Sequence, residues 1–472
     1  MLAVIVRKEL TEMVRDGRFR WSAAITMALL FGALALGWQH HTEIKRQHDT
    51  ASKATREQWL KQGKKNPHSA AHYGVYAFKP VMPLSLVDRG VDPYVGVASW
   101  LEAHKQNEFR FKPAQDATAL QRLGEMTGAT VLQLLIPLLI VLLTFSAFSA
   151  EREQGTLRLL MSLGLKPRQL AWGKALGTAS ALGLLLVPAS AVGAAALALT
   201  SENGSFAASA SRAALMAAGY LVYFAAFVAI SLAVSALAGS SRAALTALLG
   251  VWIVNGLIVP KAASDLARAA HPTPSAMEFA RSVERELEKG ADGRGSPDAR
   301  MEELKRKLLK QYNVGSIEKL PVNFTGIRLH EGERHGNEVY DRHYSALWDA
   351  FDRQRRVHEL SSAAAPFMAV RSFSMALAGT DFAQHAHFAK AAEQYRRDLN
   401  EKMNMDIARN QKPDEPNYMR GEELWAAMPE FVYTAPDLKW VLSRQKLTMA
   451  MLGGWAAAAC LFLGVAVSRI KV

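Results

Sequence analysis

The chain has 472 residues, 50% of them hydrophobic and 21% charged, with a mean hydropathy of +0.00 and a formal net charge of +13 at pH 7. Ordinary glycine and proline content excludes a collagen-like chain, a single cysteine excludes a disulfide framework, and the apolar fraction is too high for a disordered coil. A zero average then describes either an evenly mixed basic protein, of the kind that binds nucleic acid, or very apolar segments alternating with very polar ones.

The order of residues selects the second. Residues 1–20 form a short helix with Leu2, Val6, Leu10 and Met13 on one face and Arg7, Lys8, Glu12 and Arg15 largely elsewhere, a pattern that suits a helix lying in the membrane interface or a basic flanking helix. A helix crosses a bilayer with about 20 consecutive apolar residues. Six runs meet that requirement: 21–38, 128–150, 175–200, 213–238, 243–260 and 447–467. The first is an uncleaved membrane helix, because a charged segment precedes it and no small-residue cleavage site clearly follows. Between the runs lie two long polar stretches. Residues 39–127 contain a charged helical part near 43–61 and Pro- and Gly-bearing segments; residues 261–446 are mostly helical, over 276–289, 298–312, 336–360 and 382–408. The predicted fold class is an all-α membrane protein: six transmembrane helices, an N-terminal interfacial helix and a large, mainly helical extracytoplasmic domain.

Lysine and arginine mark cytoplasmic loops. Arg7, Lys8, Arg15, Arg18 and Arg20 precede the first span; Arg152, Arg158, Lys166, Arg168 and Lys174 lie between the second and third; Arg242 lies between the fourth and fifth, and Arg469 and Lys471 follow the sixth. The connection between the third and fourth offers only Glu202 and Arg212. Both termini are therefore predicted cytoplasmic and both long polar stretches extracytoplasmic, which in a bacterial inner membrane means the periplasm.

The segment 151–174 is the most informative. Gly155 and Thr156 start a short helix with Leu157, Leu160 and Met161 on one face, and Gly164 with Pro167 ends it before Gly173 and Lys174 enter the next span. On spacing alone it reads as an ordinary basic loop or as a rigid helix able to transmit force. Its Glu151-x-Glu153-x-Gly155-Thr156-Leu157 start, Leu-rich turn with Leu160, Pro167-Arg168 step and Gly173-Lys174 exit resemble the cytoplasmic loop of ABC-2-type transporter permeases. The resemblance implies that residues 155–163 dock into a cleft of a separate ATPase subunit, with Glu151 and Glu153 near that contact. It also implies two ABC ATPase subunits, which bind the ATP and Mg, and a second permease chain, identical or homologous. A second resemblance rests on Ser372 to Asp381, including Gly379, Thr380 and Asp381, with His385, Phe388, Glu393, Arg396 and Asn400, and on Asn323, Gly326, Pro366 and Arg371. These are similar to a subfamily of such permeases with a large extracytoplasmic insertion between helices five and six.

Chemistry within the chain itself is not predicted. A phosphate-binding loop needs Gly-x-x-x-x-Gly-Lys-Ser/Thr, whereas Gly173-Lys174 is followed by Ala175 and position 168 is Arg. Hydrolysis is expected in trans, with no cofactor, no catalytic residue and no nucleic-acid partner in this chain. His330 and His335 are five apart where a zinc-protease helix needs four, and His385, His387, His40 and His41 are weak as ligands, so no metal site is predicted. Asp381 reads as a helix cap and Gly379 as its turn. The spans lack the ionisable residues of an ion-coupled carrier. Pro137 and Pro188 are candidate kinks, and Gln133 and Asn255 candidate inter-helix hydrogen-bond partners. The predicted function is a permease subunit coupling a partner's ATP hydrolysis to substrate movement. The alternative is a non-transporting machine that relays ATP-driven motion to a periplasmic partner.

Overall fold

The computed structural model describes residues 2–116, 126–201, 206–289, 297–413 and 415–470; Glu202 and Lys471, used above for orientation, lie outside them. Among the described residues six helices are long and apolar enough to cross a membrane: α2 (Gly17–Leu60), α4 (Gly128–Glu153), α6 (Pro167–Thr200), α7 (Phe206–Leu237), α8 (Ser241–Ala270) and α16 (Lys446–Ser468). Each contains one predicted span, and two run well beyond it. The charged stretch near 43–61 is the continuation of α2, whose 44 residues reach about 66 Å, roughly twice the hydrocarbon thickness. Apolar runs mark where a helix meets lipid, but the backbone stays helical until a breaker intervenes, here at Gly63 for α2 and at His271-Pro272 for α8.

Helix α7 is the hub of the bundle, with Tyr223, Phe227 and Leu232 fully buried against α4 and α16. The N-terminal helix α1 (Leu2–Arg15) packs along α6 by a face rotated from the apolar one, of which Val6, Leu10 and Met13 stay partly buried. Its buried residues are Ile5 and Glu9, with Leu10 and Met13 partly buried, while Leu2 is exposed. The reason is a notch in α6: a Cβ on Gly173 would lie 2.3 Å from Ile5 Cγ2, and one on Gly177 2.7 Å from Glu9 Cβ. Two glycines four residues apart let the helices touch backbone to side chain, and that notch sets the rotation of α1.

The two polar stretches form one body. The end of α2 packs with α3 (Pro67–Tyr73), with a two-stranded antiparallel sheet of β1 (Val75–Phe78) and β2 (Ala98–Leu101), and with helices from the second stretch. Val75 pairs with Leu101 and Phe78 with Ala98; this sheet was not predicted. The second stretch supplies α9 (Ala276–Lys289), α10 (Pro297–Gln311), α11 (Phe324–Ser361), α12 (Pro366–Ala378), α13 (Phe382–Asn410), α14 (Glu422–Ala426) and α15 (Leu438–Arg444). Helix α11 begins well before the predicted 336 because the Asn323 side chain caps it by accepting from Thr325 N–H at 2.9 Å. Trp59 Nε1 donates to Trp425 O at 2.9 Å and Trp425 Nε1 to Gly63 O at 3.0 Å, while Lys65 and Arg420 exchange backbone hydrogen bonds. Trp59, Phe388, Leu399, Met403 and Trp425 are the core of this polar domain.

Helix α12 does not belong to that core. Its Ala369, Phe373 and Leu377 are buried in the same cluster as the membrane helices, against α7 and α16. Phe373 fills the space that Gly219 leaves on α7, where a Cβ would sit 2.7 Å from the ring. The segment 372–381 is thus a wedge between bundle and polar domain.

Candidate functional site

The segment after α4 folds as predicted from its glycines. Gly155, at φ 75°, and Gly164, at φ 83°, adopt the left-handed conformation that permits abrupt entry and exit, and between them lies α5 (Thr156–Ser162). Leu157 is buried, and Leu160 and Met161 pack partly buried against the bundle core. The opposite side presents Leu159 and Leu163, 59% and 70% exposed, with Trp172 nearby in sequence also exposed. Pro167 opens α6, where its fixed φ suits the first turn and its missing N–H costs nothing.

This segment is bolted to the bundle by charge. Lys174 Nζ is buried and lies 2.9 Å from Glu9 Oε1 on α1 and 2.8 Å from Glu151 Oε1 at the end of α4. Lys8 approaches Glu151 at 3.6 Å. Thr156 Oγ1 donates to Glu151 O at 3.2 Å, tying the start of α5 to the same turn. Glu153 accepts from Ser241 N–H at 2.9 Å and from Ser241 Oγ at 2.8 Å, placing a carboxylate at the N-terminus of α8, where unpaired N–H groups and the helix dipole favour it. Arg152 donates to Ala236 O and Ala238 O at the end of α7. The predicted coupling residues Glu151, Glu153, Thr156, Leu157, Leu160 and Lys174 therefore converge, as bracing that leaves the exposed leucines of α5 facing out. Glu9 was missed, since nothing in the local pattern of α1 says that it will face a lysine on another helix.

In the middle of the bundle the connections are neutral. Gln133 and Asn255 sit in π-helical turns, Val131–Leu135 and Val254–Ile258, each ending two residues before a proline. Pro137 cannot donate to the carbonyl of Gln133, and the Tyr223 hydroxyl does so instead at 3.0 Å. Asn255 Nδ2 donates to Tyr223 Oη at 3.1 Å and its Oδ1 accepts from Phe367 N–H at 3.1 Å, the first turn of α12. Gln133 Nε2 donates to Tyr220 Oη at 3.0 Å, Tyr220 meets Ser374 Oγ of α12 at 2.9 Å, and Ser374 donates to Asp88 Oδ2 at 2.5 Å. An unbroken chain of hydrogen bonds so runs from α8 through α7 and α4 to the polar domain.

The predicted motif residues 379–381 close that junction. Gly379 ends α12 at φ 81°, Thr380 Oγ1 donates to Asp88 O at 3.1 Å, and Asp381 caps α13 by accepting from Gln384 N–H at 3.1 Å. Burial pushes the Asp88 carboxyl above its usual range, with the bonds from Ser374 and Gly90 N–H opposing. Glu393 and Arg396, predicted from the same motif, pair within α13 at 2.8 Å. Arg396, fully buried, also reaches Glu333 of α11 at 3.5 Å and Glu102 O at 3.3 Å, holding α11, α13 and the segment after β2 together. Burial works to raise the Glu333 carboxyl, but His104 and Arg396 outweigh it and hold it below the usual range.

A lateral groove of about 1180 Å³, walled mainly by α6 and α7 with Leu30 of α2 and Leu463 of α16, is lined almost wholly by apolar side chains, among them Leu186, Phe224 and Val228. The family model described as "ABC-2 family transporter protein" matches residues 3–317. The model of a domain of unknown function (DUF3526) matches residues 276–434, a span that includes α12 and most of the polar domain. A search of curated proteins finds no match for the chain.

Proposed function

From the premise that the chain belongs to the ABC-2 family of transporter proteins, a multi-pass membrane family that implies an ABC ATPase partner, we propose that it is a permease subunit driven by separate ATPase subunits. One observation carries this reading: α5 is braced on one side by Leu157, Glu151, Glu153 and Lys174 and offers Leu159 and Leu163 to a partner on the other. Two ATPase subunits, holding ATP and Mg, push on that face. Because the residues flanking α5, Glu151, Glu153 and Lys174, tie the ends of α4 and α6 to α1 and α8, the push moves these helices together instead of bending the segment. A second permease chain, identical or homologous, packs beside the first, and substrate moves between or along them. In this reading the protein sits in a bacterial inner membrane with both termini and α5 cytoplasmic, since Arg158, Lys166, Arg168 and Arg242 gather at that end, and the polar domain is periplasmic.

The test is Leu159→Asp with Leu163→Asp, both exposed and therefore expected to change stability by no more than about 0.5 kcal/mol. Loss of ATPase co-purification, with the folded permease unchanged, is the expected result. Full transport-coupled ATPase activity in the double variant would overturn the assignment. Gly155→Pro, which forbids the left-handed φ at the start of α5, is expected to uncouple hydrolysis from function in the same way.

A second reading is favoured by α12: motion of the bundle is relayed through the wedge and its hydrogen-bond chain to the polar domain and a periplasmic partner, without transport. An ATP-dependent distance change in the polar domain of reconstituted protein, with no flux of any lipid or solute offered, would select it.

A further inference from the structure

We propose that His68, His72 and His104 form a binding site for a divalent late transition-metal ion, of the zinc type, on the polar domain. Their candidate ligand nitrogens all lie within 4.8 Å of one another, and the three ring centroids are 4.8 to 5.0 Å apart. His68 and His72 are one turn apart on α3, a spacing that puts both imidazoles on one face. Helix α3 is itself held at both ends, by the Asn66 cap with Pro67 at its start and by Gly74 at φ 64° at its close. His104 comes from the segment after β2. Its φ of 67° is a left-handed conformation that a residue with a Cβ keeps only where the surroundings impose it.

The surroundings are those of a built ligand set. His104 Nδ1 lies 2.6 Å from Glu333 Oε1, and the His104 backbone N–H donates to both Glu333 oxygens at 3.0 and 3.2 Å. His68 Nδ1 lies 2.9 Å from Asn404 Oδ1. In the tautomer that lets these oxygens accept, the ring proton is on Nδ1 and Nε2 keeps a free lone pair, as with a carboxylate or carbonyl behind a metal-bound histidine. Glu333 and Asn404 are buried, and Glu333 is fixed in turn by Arg396 and by Asn400 Nδ2 at 3.4 Å. In front, His72 and His104 are exposed, so an ion enters from solvent and keeps one coordination position open to water. Metal–nitrogen bonds of about 2.0 to 2.1 Å need the nitrogens about 3.3 Å apart, so each ring draws in by roughly 1 Å on binding. Three imidazoles favour zinc, copper or nickel over magnesium or calcium. A bound ion would clamp α3 to the segment after β2 and, through Glu333 and Asn404, to α11 and α13.

The experiment uses the full chain in detergent, stripped with chelator and titrated with Zn(II) against a chromophoric competitor. One equivalent per chain is expected, with His72→Ala and His104→Ala each weakening binding by about 100-fold or more, and Glu333→Gln by about 10-fold or more. His335→Ala, on α11 outside the cluster, is expected to bind as the unaltered chain does. Circular dichroism confirms that the exposed-residue variants stay folded, and Co(II) substitution is expected to give the intense visible bands of a tetrahedral site. Absence of stoichiometric binding, or binding that survives the His72→Ala, His104→Ala double variant in a folded chain, would overturn the proposal.

Discussion

The two ends of the helical bundle are secured by different chemistry. At the α5 end the fastening is ionic, a lysine between two carboxylates with Glu153 and Arg152 on helix termini. Toward α12 it is apolar packing threaded by neutral hydrogen bonds through Gln133, Tyr223, Asn255, Tyr220 and Ser374, ending at Asp88. The difference follows from dielectric. At the α5 end the buried lysine is tolerable because two carboxylates pair with it, and the cluster holds several helices in one register, whereas an unpaired ion elsewhere in the bundle carries a large desolvation cost that amides and hydroxyls avoid. The α5 end is thus clamped by charge, and the other end by a packed wedge that joins the bundle to the polar domain.

Removing charge should reveal the contrast most strongly. Lys174→Ala leaves the buried Glu9 and the partly buried Glu151 with only the half-exposed Lys8 as a shared cation, and a loss of about 3 kcal/mol is expected in thermal or denaturant unfolding. Adding Glu9→Gln and Glu151→Gln to the variant should restore most of it; equal stability of Lys174→Ala and the unaltered chain would show that the clamp is not ionic. At the wedge the corresponding perturbation is steric. Gly219→Val drives a side chain into Phe373 and should cost about 1 to 3 kcal/mol, with Phe373→Ala relieving part of it, a coupling that a double-mutant cycle reads directly.

The smallest effect is a pH dependence at the junction. Asp88 in the folded chain holds its proton above the usual aspartate range, so between the unfolded and folded values the native state binds more protons than the unfolded one. Its contribution to stability is therefore present at low pH and lost as pH rises through the raised value, by at most about 1.4 kcal/mol per unit. Asp88→Asn should flatten that part of the stability profile, and an unchanged profile would exclude Asp88 as its source.

Much of this was legible from neighbouring residues alone. Gly155, Gly164 and Pro167 delimit α5 because a left-handed turn and a helix start are local events. Asp381 reads as a cap for the same reason. The family resemblance at residues 151–174 agrees with the family match over 3–317. What was not legible has one feature in common: a partner far away in sequence. Helix α12 was not among the helices predicted in the polar stretch, and only Gly219 on α7 makes a slot for Phe373. The histidines considered as ligands, such as His330 and His335, share a helix and a motif-like spacing, whereas the trio that meets joins α3 to a segment more than thirty residues on.

Hydrophobic runs, helix stops and basic loops are properties of short windows, so the sequence by itself determined six spans, their order and the helix between the second and third. Tertiary structure alone decided that the two polar stretches fold as one domain, that α1 turns Ile5 and Glu9 toward α6, and that Lys174, Arg396 and His104 find their partners. Such pairings depend on which helix faces meet. Small-residue notches and long-range packing choose those faces, and no periodicity along the chain records them.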